Sequence, residues 1–197
     1  MITTQNERVV TFLKKVTLLG DSIRLIGYGL KTPEYLGDGY TVFQPKDNCR
    51  FASYLLRMVF DCRREIESSD AVHFNCGSWD ACDLFADGAF TPLPEYLQTT
   101  LRIADLLGKM CPKVIFATTT PVLDGGTDQR NDLIVRQNEA VVPLLLERGV
   151  VINDLYSTVQ SDITRIIRAD DRVHLTDYGI DVLARQTAEI IKREMGA

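Results

Sequence analysis

Val16-Thr17-Leu18-Leu19-Gly20-Asp21-Ser22 is a short apolar run that stops at a glycine and then presents a serine. An apolar run of this length ended by glycine reads as a strand buried on both faces. Glycine lets the backbone turn sharply where the strand stops. The turn leaves Ser22 on the rim of the sheet, at or near the start of a helical turn, with its own amide free to face a developing negative charge.

The same grammar continues outward from this stretch. Tyr40–Phe43 is a second β-rich run, ended by Pro45. Asp47 or Asn48 is placed to cap a helix carrying Phe51, Leu55, Leu56, Val59 and Cys62. Ala71–Phe74 is a third strand. Thr91-Pro92 opens a helix with Leu93, Leu97, Leu101, Ala104 and Leu107 as its apolar stripe. Lys113–Thr118 is the fourth strand, closed by Pro121 and the loop Asp124-Gly125-Gly126. A helix from Asn131 to Arg148 contains Pro143, which predicts a kink or a split, and Gly149 ends it. Val150–Ile152 is the fifth strand, Tyr156 to Arg168 is helical, and Thr176 opens a last helix with Ile180, Leu183, Thr187, Ile190 and Ile191 on one face.

Short apolar strands alternating with helices predict one three-layer α/β/α domain over residues 1–197, built on a parallel sheet. Ligands of such sheets bind beyond the carboxyl ends of the strands. Chemistry is therefore expected in Gly20–Ser22, Pro45–Asn48, Asn75–Ser78 and from Thr119 onward.

Composition narrows the class. The chain has 197 residues, 45% of them hydrophobic and 25% charged, which excludes a disordered chain. A net charge of −5 gives phosphate-backbone binding no support, so no nucleic-acid partner is expected. No apolar run approaches the roughly 18 residues of a membrane span, and the N-terminus lacks the order of a signal peptide. Five cysteines, an odd number with no C-x-x-C pair, read as reduced thiols of a cytoplasmic protein rather than a disulfide framework or a zinc ribbon. Neither G-x-G-x-x-G nor a P-loop occurs.

A serine hydroxyl is a weak nucleophile and needs a base. With only two histidines in the chain, the candidates are few. His73 lies inside the third strand and reads as a core histidine. His174 closes Asp171-Arg172-Val173-His174, just before the last helix. A carboxylate three residues before an imidazole can accept its Nδ1 proton and leave Nε2 for the serine. Asp170 is a neighbouring rival for that part. Asp21 reads as a hydrogen-bonder to nearby amides. Arg24 and Tyr28 follow the nucleophile and either line the site, form a salt bridge or pack.

Gly20-Asp21-Ser22 near one end and Asp171-x-x-His174 near the other resemble the first and last blocks of the SGNH hydrolases, also called GDSL esterases. The resemblance spans nearly the whole chain. It implies a flavodoxin-like sandwich on a five-stranded parallel sheet, with Ser22 as nucleophile, Asp171 and His174 completing a triad, and no metal or other cofactor. It also implies hydrolysis of a carboxylic ester of a small molecule or a carbohydrate, deacetylation among the options. The middle blocks depart from the pattern. The family's G-x-N-D stretch reads Gly77-Ser78-Trp79-Asp80, so Trp79 stands where an oxyanion-binding Asn is expected. Asn75 is the substitute candidate for it; the glycine of the family's second block is also missing from Asp47-Asn48-Cys49-Arg50, where Asn48 or a backbone amide is the substitute candidate, and Gly77 is expected to serve by backbone shape alone. A catalytically silent binding module and an acyltransferase with the same triad are the competing readings.

Overall fold

The computed structural model describes residues 13–196; residues 1–12, which carry most of the stretch read above for a leader, and residue 197 lie outside the described residues. β1 spans Lys14–Leu19, β2 Tyr40–Phe43, β3 Ala71–Phe74, β4 Val114–Ala117 and β5 Val151–Asn153. They form one sheet in the order β2-β1-β3-β4-β5, with every pairing parallel. Between and after them run α1 (Ser22–Leu25), α2 (Thr32–Leu36), α3 (Ala52–Asp61), α4 (Arg63–Glu67) and α5 (Leu93–Met110). The remaining helices are α6 (Asn131–Leu146), α7 (Leu155–Ser161), α8 (Ile163–Ile166) and α9 (Asp177–Glu194).

The alternation of side chains along each strand builds two cores. Leu19, Val72, Phe74 and Phe116 pack with residues of α3, α5 and α6, and the Phe74 and Phe116 rings lie 5.1 Å apart. Val16, Leu18 and Ile115 point the other way, onto Ala188 and Ile191 of α9. β3 and β4 are buried at every position, which is why they read as unbroken apolar runs rather than alternating ones. The sheet is thus covered on both faces, as predicted.

Strand order places the site. The chain leaves β1 toward β2 on one side and leaves β3 toward β4 on the other, so the sheet's switch point lies between the carboxyl ends of β1 and β3. Ser22 follows β1 and Asn75 follows β3.

Four local readings need correction. Neither Asp47 nor Asn48 caps α3. Asn48 Oδ1 instead accepts the Arg50 N–H at 2.8 Å, Arg50 takes a left-handed φ of 47°, and the helix starts only at Ala52. Its first amide is capped from afar, by both carboxylate oxygens of Asp80 at 3.0 and 3.2 Å. The stretch Tyr156–Arg168 is two short helices that meet at Asp162, whose ψ of 49° breaks the first. The inward face of α5 is Tyr96, Thr100, Ile103, Ala104 and Leu107, with Leu93, Leu97 and Leu101 only flanking it. Pro143 sits inside a continuous α6, in its last turn, where a missing N–H removes only one bond.

Candidate active site

Gly20 is required where β1 turns. A Cβ built there would lie 2.0 Å from Asn75 Oδ1, so only glycine lets the serine turn and the β3 tip approach this closely. Asp21 then caps α1, its Oδ1 accepting the Ile23 N–H at 2.9 Å. Ser22 is therefore the first helical residue and not the cap. Its side chain is free for other use, and its N–H donates to no protein atom among the described residues.

The histidine arrives on a loop closed at its base. Ile167 and Leu175 form an antiparallel bridge, Arg168 N–H donates to His174 O at 2.8 Å, and Arg172 turns the loop with a φ of 64°. Thr176 caps α9 by accepting the Gly179 N–H at 3.0 Å and donates its own hydroxyl to Arg165 O at 2.7 Å. Leu175 and Ile23 share one buried cluster, so the same apolar contact seats the histidine loop against the serine turn.

That seating brings three of the predicted residues together. His174 Nε2 lies 3.0 Å from Ser22 Oγ, and His174 Nδ1 lies 3.0 Å from Asp171 Oδ2. The other carboxylate oxygen of Asp171 accepts the backbone N–H groups of Val173 and His174 at 3.0 and 2.9 Å. Burial raises the Asp171 pKa, but those two amides and the imidazole outweigh it and hold the carboxyl at about 2. An ionised carboxylate only accepts, so Nδ1 carries the ring proton of the neutral imidazole and Nε2 accepts from the serine hydroxyl. The neighbouring Asp170 is occupied elsewhere, in an ion pair with Arg168.

The candidate donors Asn75 and Asn48 follow two more strands, β3 and β2. Asn75 lines a small polar crevice with Asp21, Ile23, Ser78 and Thr118–Thr120. Its Oδ1 accepts the Tyr28 hydroxyl at 2.8 Å, which leaves Nδ2 to face away from Tyr28. Burial raises the pKa of Asp21, opposed by the Asn75 amide, the Ile23 N–H and the Arg24 charge. Asn48 is half-buried beside Gly20, since its neighbour Cys49 donates to Gly20 O at 3.1 Å. The Asn48 backbone N–H is committed to Asp47 Oδ1 and its side-chain oxygen to Arg50 N–H, so its Nδ2 is what it has left to offer. Gly77 is constrained by shape. With a φ of 128° and a Cβ position 2.2 Å from Thr119 Oγ1, it admits no side chain. Trp79 is 39% exposed and shares a cleft of about 260 Å³ with Phe51, Phe90 and Leu84.

Two residues support the site from beneath, of which the sequence reading weighed Arg24 without settling its part and missed Asp80. Arg24 is fully buried, and its guanidinium donates to the carbonyls of Pro45, Gly20 and Asp47 at 2.8, 3.0 and 2.8 Å. It ties the loop after β2 to the serine turn. The only local hint was a charge inside the apolar run Ile23-Arg24-Leu25-Ile26. Asp80, also fully buried, fixes the start of α3, and burial lifts its pKa to about 6. The five cysteines are free and buried. Among the described residues no helix is long and apolar enough to cross a membrane.

Comparisons with known proteins bear on the fold. No family model matches the chain. A GDSL esterase/lipase of Arabidopsis thaliana, CPRD49, is 28% identical over 119 residues, which cover 53% of this chain and 46% of that protein. The match thus spans about half the length of the curated relative. Among solved structures, the acetyl xylan esterase AlAXEase superposes with a TM-score of 0.74 at 21% identity, covering 90% of this chain and 99% of that one. A lipase/acylhydrolase from Enterococcus faecalis gives 0.72 at 18% identity, covering 92% and 97%. A catalytic mutant of Axe2, an acetylxylan esterase from Geobacillus stearothermophilus, gives 0.73 at 19%, covering 95% and 97%. At these identities the superpositions establish a shared fold.

Proposed function

We propose that this chain, related to the GDSL (SGNH) hydrolases in both sequence and fold, is a serine esterase that works through an acyl-enzyme. One observation carries the reading: a serine at the first strand tip, an imidazole 3.0 Å from its oxygen, and a carboxylate 3.0 Å from the far ring nitrogen. His174 takes the Ser22 proton as Oγ attacks the ester carbonyl, and Asp171 stabilises the imidazolium that forms. The Ser22 N–H and the Asn75 side-chain amide donate to the oxyanion, with Asn48 Nδ2 as a further donor from the neighbouring loop. His174 returns the proton to the leaving alcohol and then activates water to release the acid. No step calls for a metal.

The substrate we favour is a small acyl ester of a carbohydrate. The cleft lined by Trp79, Phe51 and Phe90 holds aromatic side chains of the kind that stack on sugar rings, and two of the structures sharing the fold are acetylxylan esterases. The test is hydrolysis of p-nitrophenyl acetate and of acetylated xylo-oligosaccharides. Ser22→Ala and His174→Ala are expected to lower kcat by several orders of magnitude. A fluorophosphonate probe is expected to label Ser22. Wild-type protein that neither turns over nor takes the label is the silent binding module instead. Acyl transfer to an added sugar in preference to water would make it an acyltransferase.

A further inference from the structure

We propose that Tyr28 and His73 are positioning residues, a buried relay that fixes which face of the Asn75 amide is turned toward the Ser22 oxyanion. The inference rests on the esterase reading for its catalytic consequence. A side-chain amide has a donor end and an acceptor end of nearly the same shape, so its orientation is set by what it bonds to. An Asn75 turned the wrong way would present a carbonyl oxygen to a developing negative charge.

The direction of every bond in the relay follows from its far end. Asn153 Nδ2 lies 3.0 Å from His73 Nε2. An amide nitrogen only donates, so Nε2 accepts and the ring proton of His73 sits on Nδ1. Nδ1 lies 3.4 Å from the Tyr28 hydroxyl and turns its proton toward that oxygen. The Tyr28 hydrogen must then go elsewhere, and it goes to Asn75 Oδ1 at 2.8 Å. The Asn75 NH₂ is left facing the crevice beside Asp21. Asn153 is itself fixed, its oxygen accepting from Gln186 Nε2 at 2.9 Å and its nitrogen also donating to Thr187 at 3.1 Å.

The relay is built to hold one state. Tyr28, His73 and Asn153 are each fully buried, and the Tyr28 and His73 rings meet edge to face at 5.4 Å. Burial drives the His73 pKa down to about 3, so the ring stays neutral wherever an ester is hydrolysed by a histidine base. A doubly protonated ring would set one donor against another at Asn153.

Tyr28→Phe removes the hydroxyl and keeps the ring. In p-nitrophenyl acetate hydrolysis its kcat is expected to fall about tenfold at nearly constant KM, the size of one lost hydrogen bond felt in the transition state. Asn75→Ala is expected to cost about 10²–10³. In the Asn75→Ala background, adding Tyr28→Phe should change kcat by less than about twofold, because the group it positions is gone. Orientation is also read without turnover. The Asn75 side-chain NH₂ pair in a ¹⁵N-labelled protein, assigned by its loss in Asn75→Ala, should shift and broaden in Tyr28→Phe. An unchanged kcat together with an unchanged NH₂ pair overturns the proposal. So does an equal loss in both backgrounds, which would mark Tyr28 as a packing residue only. Failure of the wild type to hydrolyse esters or take a fluorophosphonate strikes the esterase reading, and the NH₂ pair still decides the relay.

Discussion

Asp171→Asn separates the two jobs that the Asp171 carboxylate does. Oδ1 accepts two backbone N–H groups, from Val173 and His174, and Oδ2 accepts the imidazole Nδ1–H. The substituted side chain keeps one oxygen, which the two amides claim, so the loop geometry survives. Its NH₂ then faces Nδ1 and forces that nitrogen to accept. The ring proton moves to Nε2, which can no longer receive the Ser22 proton. The expected loss is about 10³–10⁴ in kcat with KM little changed. Stability changes less and depends on pH. With a folded pKa of about 2 against an ordinary 3.8, the ionised carboxylate contributes stability that is fully present above pH 3.8 and is lost as pH falls toward 2. The Asp171 side chain is 35% exposed, so solvent screening reduces that contribution to on the order of 1 kcal/mol. The assay is steady-state hydrolysis of p-nitrophenyl acetate beside thermal melts at pH 7 and pH 2.5. Activity within tenfold of wild type would refute the tautomer argument. A stability gap that widens toward pH 2.5 would refute the linkage.

Three other outcomes follow from the supporting residues. Asp80 has a folded pKa of about 6 against 3.8, so its contribution to stability is full below pH 3.8 and is lost as pH rises through 6. Asp80→Asn keeps an acceptor for the Ala52 N–H, and wild type should lose about 3 kcal/mol relative to it between pH 3.8 and pH 7 in denaturant melts. Gly77→Ala places a methyl 2.2 Å from Thr119 Oγ1 at a φ of 128°, and calorimetry should show a drop in Tm of about 5–10 °C, from a cost of about 2–3 kcal/mol. Arg24→Met strips the donors from the carbonyls of Gly20, Pro45 and Asp47, and hydrogen exchange should show faster opening of residues 45–50 together with reduced esterase rate.

What the sequence made legible was whatever is local. Each strand announced itself by a short apolar run, the first, second and fourth also by a glycine or proline stop, and the five strands fall within two residues of where those runs lie. Ser22 and the Asp171-x-x-His174 pair were readable because the carboxylate and imidazole are three residues apart and both blocks adjoin element ends. The remainder depends on partners far apart in the chain. Asp80 reaches 28 residues back to Ala52, Tyr28 reaches 47 forward to Asn75, and Asn153 reaches 80 back to His73. No spacing rule encodes such pairs, because they exist only once the strands take the order β2-β1-β3-β4-β5. This is also why Asp47 and Asn48 misled. Their composition suits a helix cap, but the bonds they form are local turns, and the cap comes from a buried carboxylate on another strand tip. The same logic bears on Trp79. In the proposed reading Asn75, just after β3, stands in for the Asn of the GDSL pattern, and that role needs its amide held one way round. The switch point between β1 and β3 supplies that hold, since it sets Tyr28, after the serine turn, against His73 on the next strand and Asn75 at its end.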